Sequence, residues 1–266
     1  MPKKKLPTGN SVYKIFFPYN NRIDIFLDYT LFVYHVIILK MKLRKVTPLG
    51  RSFEAYWLMF DLNERDIGRK IIGVGDGPSS FNAEMKELSG NVTSIDPLYV
   101  LEKQEIEWSF YEVLDEVIDQ LRANLDDWTW TYHQSPDHLR ADRIAVIKKF
   151  IANYEKGKRE KRYIAGQLPE LDFKNASFDL ALCSHFLFLY SEHYDYDFHR
   201  ASIYEMLRVA NDVRIFPLLD LTNKRSTHID PLINELQADG YKVVIKKVGY
   251  EMQRGGNEMM RVFRNY

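Results

Sequence analysis

From Lys70 onward the chain alternates short apolar runs with stretches whose apolar residues recur at helical spacing, a pattern of strand and helix in turn around a largely parallel sheet. "KIIGV" reads as an apolar strand running into the turn "GDGPSS". "FNAEMKELSG" follows as a helix closed by Gly90, and "NVTSID" as a second strand ending at Asp96-Pro97. Between about Leu101 and Lys161 the apolar positions are helical. Trp108, Phe110, Tyr111, Val113, Leu114, Val117, Ile118 and Leu121 supply one set. Leu139, Ile144, Ile147, Phe150 and Ile151 give one buried face to a second helix from about Pro136 to Tyr154. This stretch is too long for a simple crossover and reads as a helical insertion near 100–160. "RYIAGQL" and "FDLALCS" are the third and fourth strands, "DFHRASIYEMLRVA" a helix, "DVRIFPLL" the fifth strand and "DPLINELQADG" a helix ended by Gly240. "YKVVIKKV" and "NEMMRVFR", joined through "GYEMQRGG", alternate in character and predict an antiparallel hairpin at the sheet edge.

The first 40 residues differ. A basic start, "MPKKK", leads into Phe, Tyr, Ile and Asn without helical period, and nothing there reads as core. Met41 opens "MKLRKVTPLGRSFEAYWLMF": a basic segment, a Pro/Gly break, then an amphipathic helix from about Ser52 to Phe60. The expected organisation is an N-terminal extension over 1–40, disordered or preceding the true start, and one domain over 41–266. "YTLFVYHVIILKM" is too short to cross a bilayer and lies too far into the chain for a signal peptide, so no membrane segment is predicted.

A chain of 266 residues, 45% of them hydrophobic, suits one α/β domain with an insertion. Lys plus Arg and Asp plus Glu each total 37, so no overall field draws the chain to nucleic acid or acidic lipid. The expected partner is a small molecule, with a protein substrate as the alternative. The single cysteine, Cys183, excludes an intramolecular disulfide and a cysteine-cluster metal site. It fits a reducing, cytoplasmic setting, and no metal is expected.

The strongest chemical signal is "IIGVGDGPSSF" with Asp96, which stands 21 positions after Gly75 at the end of the next strand. Glycines at 73, 75 and 77 let the backbone turn sharply and approach a ligand. The helix that follows offers its first N–H groups to a carboxylate or phosphate, and Asp96 can accept both ribose hydroxyls of an adenosine. This much suits a dinucleotide or S-adenosylmethionine, and an ordinary strand-to-helix turn would also use glycines. Pro78 stands where the dinucleotide fingerprint G-x-G-x-x-G has its third glycine, which counts against NAD.

"YIAGQLPELDFKNASFDLALCSHFLFLY" resembles the stretch of class I S-adenosylmethionine-dependent methyltransferases in which a third strand ends in Gly-Asp-Ala or similar and Ser-Phe-Asp-Leu follows a Pro/Phe loop. The match lies at Gly166, Gln167, Leu168, Phe173 and Ser177-Phe178-Asp179-Leu180. Together with "MLRVA" and the closing hairpin, the likeness runs from about Arg65 to Tyr266. It implies a three-layer Rossmann-like α/β sandwich, a mostly parallel seven-stranded sheet with an antiparallel last strand, S-adenosylmethionine as cofactor, and methyl transfer by in-line displacement. It implies that Gly73, Val74, Gly75, Asp76, Gly77, Pro78 and Ser79 line the methionine side of the cofactor. Asp96 and Pro97 would hold the ribose, Leu98 would cover the adenine, and Gln167, at a position normally Asp, would border the adenine with Leu168. Ser184 and His185 would sit beside the sulfonium.

Where the acceptor must lose a proton, His185, His193 and Glu192 in "SHFLFLYSEHYDYDFH" are the candidate bases; pocket wall or surface loop is the plainer reading of each. Neither Asn-Pro-Pro-Tyr nor Asp-Pro-Pro-Tyr follows the fourth strand, which disfavours methylation of DNA bases or glutamine. Arg254 and Asn257 are candidates for the substrate mouth, against a simple hairpin turn. Arg51 and Tyr56 are candidates to close over the cofactor's carboxylate, and "KKFIANYEKGKREKR" reads as a solvated basic helix end. A nicotinamide-dependent oxidoreductase and a non-catalytic adenosyl-binding protein are the alternative functions.

Overall fold

The computed structural model describes residues 47–264, all but Thr47 within the compact unit Pro48–Tyr266. The expectations about residues 1–40 and a start at Met41 lie outside the described residues. Seven strands form one sheet in the order β3-β2-β1-β4-β5-β7-β6. They are β1 (Lys70–Val74), β2 (Asn91–Ile95), β3 (Tyr163–Ile164), β4 (Leu180–Ser184), β5 (Asp212–Phe216), β6 (Tyr241–Lys247) and β7 (Glu258–Arg264). β1 to β5 pair in parallel, and β7 runs antiparallel to both β5 and β6. This is the mostly parallel, doubly wound sheet with an antiparallel last strand that the sequence implied. The hairpin does sit at the edge, with β7 inserted between β5 and β6.

Successive residues of the central strands enter opposite cores, as a sheet covered on both faces requires. Ile72, Ala181, Cys183, Val213 and Ile215 join helices α6 (Tyr196–Val209) and α7 (Ile229–Ala238) through Ile203, Met206, Leu232 and Leu236. Ile71, Leu180 and Leu182 face α1 (Phe53–Met59) and α3 (Phe81–Glu87) through Ala55, Tyr56, Met59, Phe81 and Met85. Between α1 and β1 lies the short α2 (Glu64–Ile67). Each fully buried Leu, Ile or Phe contributes about 1.5–3 kcal/mol of transfer free energy to this packing.

The insertion is a pair of helices, α4 (Lys103–Ala123) and α5 (Pro136–Arg159), with its own core of Phe110, Leu114, Ile118, Leu139, Ile147, Phe150 and Tyr154. Ser135 caps α5 by accepting from the His138 N–H, and Pro136 occupies the first turn, where its missing N–H costs nothing. α5 continues one turn beyond the expected Tyr154. Two of the apolar positions of α4 lie outside its core: Trp108 is 54% and Tyr111 40% exposed. The stripe actually buried is Ile106, Phe110, Leu114, Ile118 and Leu121. α3 ends through Ser89, whose φ is +62°, and Gly90 matters for space instead, since a Cβ there would lie 2.7 Å from Met85 Cε. Burial raises the Cys183 thiol to about 12, which makes it unreactive. Among the described residues no cluster of His, Cys, Asp or Glu is set to hold a metal, and no helix is long and apolar enough to cross a membrane.

Register fixes where chemistry can occur. Val74 pairs with Ile95, Gly73 with Leu182, and Ser184 with Phe216. The segments after β1, β2, β4 and β5 therefore emerge side by side at the carboxyl edge, with the change of winding direction at β1 and β4, where such sheets bind ligands.

Candidate functional site

The glycine turn after β1 is shaped by one buried carboxylate. Asp76 folds back under its own loop, so close that a Cβ on Gly73 would lie 2.5 Å from Oδ1. Tyr56 donates its hydroxyl to one carboxylate oxygen and Ser94 to the other, and burial raises the Asp76 pKa. Tyr56 is fully buried in this role, and Asp76 is buried with it. The Tyr56 hydroxyl, a candidate to close over the cofactor's carboxylate, is bonded to Asp76.

A strap from the N-terminal side covers the rest of the turn. Gly50 rests on Pro78, where a Cβ would meet the carbonyl oxygen at 2.1 Å. The Arg51 N–H donates to Ser79 Oγ (3.0 Å), which itself donates to the Asp76 carbonyl (2.7 Å), and the Ser80 N–H donates to the Arg51 carbonyl (3.1 Å). Val74, Pro78 and Ser79 are thus buried by the fold. The Ser80 N–H, at the start of α3, is already spent on Arg51.

What stays open is narrow. Gly75 and Gly77 have φ of +64° and +54°; a Cβ on Gly75 would touch the Phe186 ring at 3.0 Å, but one on Gly77 would meet nothing within 4 Å. The Gly77 N–H donates to Asp96 Oδ2 (2.8 Å), the Leu98 N–H donates to Asp96 Oδ1 (2.8 Å), and the Tyr99 hydroxyl donates to the Gly77 carbonyl (2.6 Å). A carboxylate has about four lone-pair sites, so two of Asp96's remain for a ligand. Burial pushes Asp96 up to about 6, with the two N–H donors opposing the rise. Pro97 opens the single helical turn Pro97–Val100, which carries the buried Leu98. Leu168 is buried in the cluster that contains Ile95, whereas Gln167 is exposed and makes a local bridge with Glu170.

At the end of β4, Ser184 Oγ lies 3.0 Å from His185 Nδ1. His185 is left-handed, at φ +51°, a conformation that costs a non-glycine residue roughly 1–2 kcal/mol and often marks a working position. Its ring packs against Phe216 and Tyr250, at 5.4 and 6.2 Å between centroids. Burial, then the charges of Arg51 and Arg143, hold its pKa well below the ordinary value, so the imidazole is neutral at physiological pH. Glu192 and His193 instead stand exposed in the turn after Phe188–Tyr190.

Arg254 and Asn257 tie loops together. Arg254 donates to the Asp126 carbonyl (2.7 Å) and the Trp128 carbonyl (3.0 Å), fastening the β6–β7 connection to the insertion, and Asn257 donates to Glu251 (2.9 Å).

The same connection carries Tyr250, fully buried, which the sequence reading passed over along with Arg143 and His133. Arg143 on α5 is 2% exposed; its Nη1 donates to Asp142 (2.7 Å), and its Nη2 meets the Tyr250 hydroxyl at 3.4 Å and His133 Nε2 at 3.5 Å. Burial, Arg143 and Arg51 push the His133 imidazole down to about 2. Burial and the Arg143 charge lower Arg51 to about 10; its Nη1 donates to the Leu49 carbonyl and its buried Nε has no partner among the described residues. The available signal was spacing: Leu139, Arg143 and Ile147 stand four apart, which sets a lone arginine in the apolar stripe of α5.

No family model matches the chain. A protein of Methanocaldococcus jannaschii, the uncharacterized protein MJ0045, is 36% identical over 225 residues, which cover 84% of this chain and 99% of that one. Solved structures are similar at a distance. Magnesium protoporphyrin IX methyltransferase from Synechocystis PCC 6803, with bound S-adenosylmethionine, is 13% identical at a TM-score of 0.40, covering 91% of this chain and 86% of its own. The 1,6-didemethyltoxoflavin-N1-methyltransferase of Burkholderia thailandensis is 13% identical at a TM-score of 0.43, covering 92% and 94%.

Proposed function

The chain belongs to the family of the M. jannaschii protein MJ0045, and we propose that it binds S-adenosylmethionine at the carboxyl edge of its sheet and transfers the methyl group to an acceptor beside His185. The observation that most supports this reading is the Asp96 carboxylate. It stands at the end of β2, fixed from within by the Gly77 and Leu98 N–H groups, beside a glycine whose missing Cβ leaves open space. That arrangement suits a ribose diol next to a chain segment that must approach the backbone closely.

The residues present fit the group. Gly75 and Gly77 offer accessible backbone for its amino-acid portion, Arg51 a half-buried guanidinium for its carboxylate, Asp96 two remaining acceptor sites for its ribose, and Leu98 with Leu168 an apolar wall for its adenine. When bound, S-adenosylmethionine supplies a methyl group already activated on a sulfonium. The chain then has to align the acceptor and exclude water, which the strap over the turn and the aromatic walls of Tyr250 and Phe216 serve. His185 is the residue proposed by position to receive a proton, with Ser184 on its Nδ1 side; burial and the charges of Arg51 and Arg143 lower its basicity, so the role is confined to acceptors that give up a proton readily.

Calorimetric titration with S-adenosylmethionine, S-adenosylhomocysteine and NAD, repeated on Asp96→Ala, tests the reading. Binding of the adenosyl ligands, lost in the variant, is the expected outcome. NAD binding alone would replace it with the oxidoreductase reading, against which Pro78, packed under Gly50, already counts.

A further inference from the structure

Gly77 is held on both sides by one short turn. Its N–H donates to Asp96 Oδ2 (2.8 Å), and its carbonyl accepts from the Tyr99 hydroxyl (2.6 Å). The Leu98 N–H holds the other Asp96 oxygen (2.8 Å) and the Tyr99 N–H donates to the Asp96 carbonyl (3.2 Å), so residues 96–99 clasp the glycine turn as a unit. The two bonds to Gly77 fall on different peptide planes. The plane with its carbonyl continues into Pro78, which has no N–H, so that carbonyl is the plane's one hydrogen-bonding group. Gly77 has φ of +54° and open space where a Cβ would lie, so no side chain of its own restrains it, and glycine has the widest range of conformations to lose. Tyr99 thus holds one side of a residue whose other side orients Asp96.

Tyr99 is itself fixed by the helical insertion. Its ring is 2% exposed among Phe150, Tyr154 and Tyr163, at 6.1, 6.0 and 5.4 Å between centroids. The Tyr154 hydroxyl on α5 donates to the Tyr99 carbonyl (3.1 Å) and the Leu101 carbonyl (3.0 Å). Burial, then the charges of Asp76 and Asp96, raise the Tyr99 pKa well above its ordinary value, so the hydroxyl remains a donor at physiological pH.

We propose that Tyr99 is a positioning residue for the cofactor: by holding the Gly77 carbonyl it keeps the Gly77 N–H on Asp96, and so keys the helical insertion to the carboxylate that takes the ribose. The words cofactor and ribose rest on the methyl-transfer reading above. The Tyr99 hydroxyl bonds Gly77 and not the Asp96 carboxylate, so its effect on that carboxylate passes through the Gly77 N–H. A bond to a charged acceptor favours the ionised form, and slackening it lets the Asp96 pKa rise. Asp76, the other carboxylate acting on Asp96, keeps its Tyr56 and Ser94 donors when Tyr99 is changed.

The test uses the full chain and two readings: NMR titration of the Asp96 carboxyl carbon in the ligand-free protein, and calorimetric affinity for S-adenosylhomocysteine. Tyr99→Phe keeps the ring and removes the donor. The Asp96 midpoint is expected to rise by about half a pH unit or more, as part of a charge-assisted bond is lost, and affinity to fall by about threefold to tenfold. Para-aminophenylalanine in place of Tyr99 restores a weaker donor and should fall between the two on both readings; if Tyr99→Phe does not fold, this protein is compared with the parent directly. Tyr154→Phe removes a buried hydroxyl from the same cluster without touching Gly77, and should leave the midpoint in place and affinity within about twofold. The proposal is overturned if Asp96 titrates alike in the parent and the Tyr99 variants, or if its midpoint rises while adenosyl affinity holds. It is overturned too if Tyr154→Phe moves both readings as far, which would make the effect a general loosening of the cluster. A raised midpoint in a protein that binds no adenosyl ligand would keep the hold of Tyr99 on Asp96 and remove the methyl-transfer reading.

Discussion

Acidifying the solution from about pH 8 to about pH 5 is expected to weaken S-adenosylhomocysteine binding through one carboxyl group. Asp96 sits at about 6 in the free protein because burial disfavours its charge more than the Gly77 and Leu98 N–H groups favour it. Ribose hydroxyls donating to the carboxylate favour the ionised form, so binding pulls this pKa down and competes with the proton. Affinity is therefore level above about pH 7 and falls toward a limiting slope of one, about fivefold between pH 6 and pH 5 and about tenfold in all from pH 8 to pH 5. Asp96→Asn removes the titration and should give a profile without this slope. It should also be weaker at pH 8 by roughly ten- to a hundredfold, since hydrogen bonds to a charged partner contribute about 1.5–3 kcal/mol and those to a neutral one about 1. Any slope from the ligand's own amine is common to both proteins and cancels in the comparison. Stability of the ligand-free protein moves the opposite way. The folded pKa of about 6 exceeds the reference 3.8, so the folded state holds the proton more tightly, and this group's contribution improves as pH falls from about 6 toward 4. Calorimetry at four pH values on both proteins reads the binding effect. Equal slopes in parent and Asn variant, or a level profile in the parent, would refute the reasoning.

Gly77→Ala should fold, at a cost of about 1–2 kcal/mol for its left-handed backbone, because its Cβ meets no protein atom within 4 Å; adenosyl affinity should fall further than stability does, read by calorimetry beside denaturant unfolding. Gly73→Ala forces the Asp76 carboxylate out of its place and should lose at least about 2 kcal/mol in the same unfolding assay, as two buried hydrogen bonds are disturbed. Tyr56→Phe leaves Asp76 with Ser94 as its remaining hydroxyl donor and should cost about 1–3 kcal/mol, with adenosyl affinity nearly unchanged because this carboxylate faces inward. Arg254→Ala releases the connection that it holds to residues 126 and 128; faster amide exchange over 125–129 with an unchanged central sheet is the expected result in hydrogen-exchange mass spectrometry.

The sheet was legible because its strands are short apolar runs separated by helices of clear period, a pattern with few topological solutions. Gly75, Gly77 and Asp96 were legible for the same reason: a turn that needs positive φ and a carboxylate at the next strand end leave marks in local sequence. The roles of Asp76, Ser79 and Tyr56 were not, because they depend on a long-range meeting of α1 with the turn, 20 residues apart for Tyr56 and Asp76. Apolar character alone did not tell which positions of α4 are buried: the helix phase set by Phe110, Leu114 and Ile118 turns Trp108 and Tyr111 outward. Arg143 was hidden by the opposite assumption, that a charged residue marks the solvent face; its spacing from Leu139 and Ile147 put it inside.

A crystal structure of the protein grown with S-adenosylhomocysteine tests the central claim most directly. The account predicts the ligand at the carboxyl edge, both ribose hydroxyls on the Asp96 carboxylate and its amino-acid portion against Gly75 and Gly77. Ligand bound elsewhere, or an Asp96 carboxylate left untouched at full occupancy, would contradict it.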